Sequence, residues 1–214
     1  MGIQFRELPF YDRPDLTPYL IHLTKNSISN DKYTAYDNLV NILQTGEIWG
    51  SDIKGYIKGK NPATCFMDIP FASLKYVLNE ENSSPKSPRY EPYGIFILKT
   101  YAYEAGVRPV LYLSDEEVLK LQIPSDELWR IVKLEVHNRD WVSWVHEREW
   151  RCKGNFKLPP KSKTRRHPFK LGVLVKSYHD VLKLQNDINI NPDEYKVEIS
   201  TILPLDVICQ GLYI

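Results

Sequence analysis

Cysteine is scarce in this chain, and the three present, Cys65, Cys152 and Cys209, are odd in number and far apart. No Cys-x-x-Cys or His-x-x-x-His pair occurs, so neither a disulfide framework nor a structural zinc site is supported and no metal is expected. Charge of one sign is missing too. The 28 Lys and Arg nearly cancel the 27 Asp and Glu, leaving +1, which gives no global pull toward nucleic acid or membrane. No apolar run approaches bilayer-spanning length, and Met1-Gly2-Ile3-Gln4-Phe5-Arg6-Glu7 lacks the apolar centre of a signal peptide. Reduced thiols in a cytoplasmic setting are the resulting expectation. Also absent are the Gly-x-Gly-x-x-Gly and Walker loops that cradle phosphates, a Gly-x-Ser-x-Gly elbow and a Cys–His motif. There is no internal repeat.

What remains is an ordinary globular composition, 43% hydrophobic and 26% charged, with a heavy aromatic load of 14 Tyr and 5 Trp. The length of 214 residues fits one domain over 1–214 with a real core. Residues 1–18, marked by Pro9, Pro14 and Pro18, read as an extended lead-in, and 79–92 and 157–168 as mobile loops. Short strands are expected at Tyr19–Leu23, Ala63–Met67, Tyr93–Leu98, Val107–Leu113 and Leu171–Val175. Apolar residues at helical spacing predict a helix from about Tyr36 to Thr45, stopped by Gly46, and others over Pro70–Leu78, Ser125–Leu134 and His179–Ile188. Strands and helices mix without regular βαβ spacing, which argues for α+β.

Glu147-Arg148-Glu149-Trp150-Arg151 is the most informative stretch. It follows Trp141-Val142-Ser143-Trp144-Val145-His146, whose aromatic and β-branched residues read as a strand or the approach to one. On a strand, residues i and i+2 share a face, so Glu147 and Glu149 are expected on one side and Arg148 on the other. Like charges that close suppress each other's ionisation unless a cation or substrate intervenes. The arrangement suits stabilisation of developing positive charge, and equally a solvated face making cross-strand ion pairs. His22, mid-strand between Ile21 and Leu23, is by itself more readily a core residue than a functional one. Tyr33, Tyr36, Tyr76, Tyr90, Tyr93 and Tyr112 offer faces to a flat ligand, although most must be core or rim. The basic run Lys161, Lys163, Arg165, Arg166 and His167 reads first as a solvated linker and second as a phosphate contact.

Four phrases in order carry a resemblance: Leu20-Ile21-His22-Leu23-Thr24, Tyr36 to Trp49 with its Gly46-Glu47-Ile48 ending, Cys65-Phe66-Met67-Asp68-Ile69-Pro70-Phe71, and Glu147 to Arg151. Together they resemble abortive-infection proteins of the AbiGi type and, more distantly, the DarT-like branch of ADP-ribosyltransferases. The resemblance implies a single-domain, split mixed β-sheet with flanking helices that binds NAD⁺ in a cleft. It implies that His22, with Thr24 beside it, holds the adenosine-side ribose, and that Glu149, or secondly Glu147, stabilises an oxocarbenium-like state. Phe71 or Tyr76 would face the nicotinamide, and Arg151 would meet the pyrophosphate or orient Glu149. The implied role is a toxin or antiphage defence effector with a nucleic acid or protein acceptor and a cognate antitoxin, the loop residues Lys163, Arg165 and Arg166 tilting toward nucleic acid. A catalytically degenerate binding protein (antitoxin or sensor) is one alternative. An NAD-independent ribonuclease-like effector using His22, His146 and the glutamates is another. The leading reading requires His22 and Glu149 to face one groove.

Overall fold

The computed structural model describes residues 13–26, 33–51, 57–83, 88–137, 140–161 and 171–212. Its centre is a mixed seven-stranded sheet. In chain order the strands are β1 (Tyr19–Leu23), β2 (Ala63–Met67), β3 (Gly94–Leu98), β4 (Arg108–Pro109), β5 (Glu149–Lys153), β6 (Leu171–Val175) and β7 (Ile199–Pro204). Their spatial order is β7-β6-β3-β1-β2-β5-β4. Only β6 and β7 run parallel; the other neighbours are antiparallel. The helices are α1 (Ala35–Thr45), α2 (Leu74–Val77), α3 (Lys99–Glu104), α4 (Asp115–Lys120), α5 (Tyr178–Ile190) and α6 (Leu205–Ile208). The α+β expectation therefore holds. No described helix is long and apolar enough to cross a membrane.

The sheet has a seam. β1 meets β3 over five register pairs, and β2 meets β5 over five. β1 and β2 share the single pair Ile21↔Met67. Two well-formed half-sheets thus join through one residue pair in the middle of the molecule. Register also fixes the faces, because paired residues point the same way. Gly172, Phe96, Ile21, Met67 and Glu149 form one row across the sheet. On that face Ile21, Leu23, Met67, Phe96 and Leu174 pack with Leu74 and Val77 of α2 and Leu205 of α6. On the other, Leu20, Phe66, Ile95, Ile97, Val173 and Val175 pack under Leu39, Ile42 and Leu43 of α1 and Val181 and Leu184 of α5. Gly172 leaves room for the Phe96 ring, which a Cβ there would meet at 2.0 Å.

Local chemistry explains most boundaries. Thr34 and Asp37 form a reciprocal capping box at the start of α1, and Gly46 ends it in the left-handed region at φ 72°, donating to Ile42 O. Ser177 and Asp180 cap α5 in the same way. The proline-led helix over 70–78 is a 3₁₀ turn, Phe71–Ser73, followed by the short α2. The helix expected over Ser125–Leu134 is corrected: a 3₁₀ turn at Leu128–Arg130 runs into a strand, Ile131–Lys133, that pairs in parallel with Leu111–Leu113. Its β-branched Ile131 and Val132 suit that pairing better than a helix. The expected strand over Val107–Leu113 is cut in two between β4 and Leu111–Leu113, where Val110 N–H turns to donate to Glu149 O at 3.1 Å.

Candidate active site

The site forms where β5 begins. The expected continuous strand through Glu147 is corrected here. Val145–Glu147 is a 3₁₀ turn, and Arg148 sits in the left-handed region at φ 45°, ψ 54°. The strand starts at Glu149. This turn is held from outside: Asp68 N–H lies 3.3 Å from both Glu147 O and Arg148 O, and Arg148 Nη2 donates to Asp15 O at 2.5 Å. A left-handed non-glycine residue stores strain that its surroundings must offset. The two carboxylates are therefore not period-two neighbours on a strand, yet both are buried, Glu147 at 6% and Glu149 at 7% exposure.

Period two does apply one step later. Glu149 and Arg151 share a face of β5, and Arg151 grips Glu149 through Nε to Oε1 at 2.8 Å and Nη2 to Oε2 at 3.2 Å. Its Nη1 donates to Trp129 O and Ile131 O at 2.9 and 3.1 Å. Arg151 is 2% exposed. Burial works against its charge, but Glu149 outweighs that and holds the guanidinium above its usual range. Glu149 N–H donates to the Tyr112 hydroxyl at 3.0 Å.

Glu147 is held differently. The Tyr90 hydroxyl donates to Glu147 Oε1 at 2.5 Å. Burial pushes the Glu147 carboxyl up to about 7; the Tyr90 bond opposes this, the Glu149 charge adds to it, and Arg89 and Arg151 pull it back. Burial and the same carboxylate keep the Tyr90 phenol protonated far above its ordinary range. Cys65, opposite Arg151 on β2, completes the cluster; burial first, and then Glu149, push its thiol well up. At the edge, the Arg89 guanidinium lies 4.6 Å from the Trp144 ring centroid.

The other expected site residues lie elsewhere. His22 follows Ile21 on β1 and so projects from the face opposite Glu149. Its ring meets Phe66 edge-on at 5.9 Å, and its Nδ1 bonds the Cys65 carbonyl at 2.9 Å across the seam. A carbonyl only accepts, so Nδ1 carries the proton. Burial lowers the His22 pKa, the carbonyl bond opposing it, and the ring is neutral at pH 7. The expectation that His22 and Glu149 line one groove is thus corrected, and the alternation of the strand is the reason. Thr24 is buried, its hydroxyl donating to Ala35 O at 2.8 Å with Tyr93 O at 3.1 Å. Phe71 packs into the core against Tyr19 and Phe96, at 5.6 and 4.8 Å between centroids. Tyr76 is 71% exposed on a separate hollow beside Lys75, Asn79 and Cys209. Lys163, Arg165 and Arg166 lie outside the described residues. Among the described residues no group of His, Cys, Asp and Glu is arranged to hold a metal.

No family model and no curated relative matches this chain. Solved structures do. The chain overlaps DarT. The Thermus sp. 2.9 DarT in complex with NAD⁺ aligns over 94% of this chain and 98% of that one, at 13% identity and a TM-score of 0.46. The complex of the same DarT with carba-NAD⁺ aligns over 91% and 97%, again at 13% identity and 0.46. Tyr90, Tyr112, Arg89 and Cys65 join the carboxylates, and nothing in the sequence assigns any of them to that cluster. Tyr90 and Tyr112 stood among six tyrosines with nothing local to single them out, because what brings them to β5 is long-range pairing.

Proposed function

We propose that this chain is an NAD-dependent ADP-ribosyltransferase acting as a toxin or defence effector. The observation that carries this reading is the pair of buried carboxylates at the head of β5, one held by Arg151 and the other poised near neutrality under Tyr90. NAD⁺ brings a ribose whose bond to a cationic nicotinamide is ready to break. When that bond breaks, its electron pair leaves with nicotinamide and positive charge builds on the ribose. Glu149, paired with Arg151, supplies fixed negative charge for it. The acceptor must lose a proton as it bonds to the ribose carbon, and Glu147, titrating near 7, is matched to take it. Tyr90 and Tyr112 offer aromatic faces beside the carboxylates. Arg151 serves Glu149 rather than the pyrophosphate, because its donors are already engaged.

The acceptor class, nucleic acid or protein, and a cognate antitoxin belong to the same proposal, as do Lys163, Arg165 and Arg166 as acceptor contacts and the whole of 1–214 as one domain. His22 is reassigned from ribose binding to the seam. The ribonuclease-like reading loses its His22–glutamate pairing by the same geometry. The binding-protein reading gains one observation: both Glu149 oxygens are taken by Arg151.

The deciding experiment is chromatographic detection of nicotinamide released from NAD⁺. Wild-type protein is expected to release it, and Glu149→Gln to lose at least about 100-fold in rate, as when one stabilising group is removed from a charged transition state. Glu147→Gln is expected to keep NAD⁺ binding and slow hydrolysis while losing transfer to an acceptor. Calorimetric NAD⁺ binding with no nicotinamide release by wild type selects the binding-protein reading.

A further inference from the structure

We propose that Tyr90 is a positioning residue for Glu147: its hydroxyl occupies Oε1 and leaves Oε2 as the oxygen that exchanges the proton. The observation is geometric. Tyr90 donates to Oε1 at 2.5 Å. The segment carrying it is anchored on both sides, by Arg89 N–H to Asn82 O at 2.7 Å and by Glu91 N–H to Thr24 O at 3.1 Å. Glu91 Oε2 also accepts from Asn26 N–H at 2.6 Å. A phenol whose neighbours on both sides are anchored in this way, and whose hydroxyl is bonded to Oε1 of a buried carboxylate, fixes which oxygen is free. It is no nucleophile itself, since burial and the two glutamates keep it protonated.

The groups facing Glu147 come from every neighbouring element: Tyr90 and Arg89 from the segment before β3, Glu149 and Arg151 from β5, and Tyr112 from the strand after β4. Of these, Tyr90 alone makes a direct side-chain bond to Glu147 among the described contacts. The bond favours the charged carboxylate, so losing it must raise the Glu147 titration midpoint.

The test is Tyr90→Phe with carboxyl-¹³C glutamate, the Glu147 resonance being assigned by its disappearance in Glu147→Gln. The Glu147 midpoint is expected to rise by about one pH unit. The kinetic arm rests on the transferase reading. There the acidic limb of kcat for ADP-ribose transfer should move up by the same amount, with the KM for NAD⁺ unchanged. An unmoved Glu147 midpoint overturns the proposal. A moved midpoint in a protein that releases no nicotinamide even as wild type upholds Tyr90's role and overturns the transferase reading instead. Should Tyr90→Phe fail to fold, wild-type protein labelled at tyrosine Cζ keeps the test. One tyrosine resonance must titrate with the Glu147 midpoint and cease to do so in Glu147→Gln; a tyrosine set that ignores that midpoint overturns the assignment.

Discussion

Glu147 makes stability run against pH. Its carboxyl titrates at about 7 in the fold, against an ordinary 4.5, so between those values the folded chain binds more protons than the unfolded one. The stabilisation is complete below about pH 4.5 and is lost as pH rises through 7, about 3 kcal/mol in all. Glu147→Gln, which does not ionise, is expected to flatten that slope and to be the more stable protein at pH 8, as read from urea midpoints on either side of the window. Arg151 behaves oppositely. Arg151→Ala strands a buried Glu149 charge and two carbonyls, and should cost about 3–5 kcal/mol, visible as a large fall in melting temperature; a surface-like cost below 1 kcal/mol would refute the buried pair. The sequence made the Glu149–Arg151 relation readable, because both sit on one strand. It named Glu147 but misplaced it on the strand, because a left-handed Arg148 breaks the alternation and depends on Asp68 and Asp15, far away in the chain.

Elements whose signals are local were legible. β1, β2, β6, α1 and α5 lie where apolar spacing and caps put them, because Thr34, Gly46 and Ser177 act on their own neighbours. Thr34→Ala is expected to remove the cap of α1 and cost about 1 kcal/mol, measured by denaturant unfolding. Thr34→Asn should recover most of it. Elements that depend on a partner were not legible. Ile131–Lys133 is a strand because Leu111–Leu113 lies beside it, and α3 fills a stretch that carries no side-chain N-cap. Gly172 shows the same dependence: its need for no side chain comes from Phe96, on the neighbouring strand. Gly172→Ala should therefore destabilise sharply by forcing that ring aside, while a milder effect follows at Gly154, where a Cβ meets nothing within 4 Å and the cost is backbone strain alone.

At the scale of the molecule, the seam between β1 and β2 governs how the halves communicate. His22 bridges it with a neutral imidazole. Because burial depresses its pKa from 6.5, its contribution is present above pH 6.5 and is lost as pH falls through the lower folded value. His22→Asn, which keeps a donor toward the Cys65 carbonyl but does not titrate, should weaken the acid-side loss relative to wild type; parallel acid limbs in the two proteins would show that His22 is not protonated on unfolding. Amide exchange is expected to be slowest within each half-sheet and faster across the single Ile21↔Met67 junction.

The β4 flank carries a further consequence. That outer strand is two residues long and ends in Pro109, which has no N–H to lend to a visiting chain. A second molecule seeking to extend the sheet there finds too little backbone to zip onto, so fibrillar stacking from that side is discouraged even at high concentration. The opposite boundary of the seven-stranded sheet, the six-residue β7, offers the longer run of backbone for such growth.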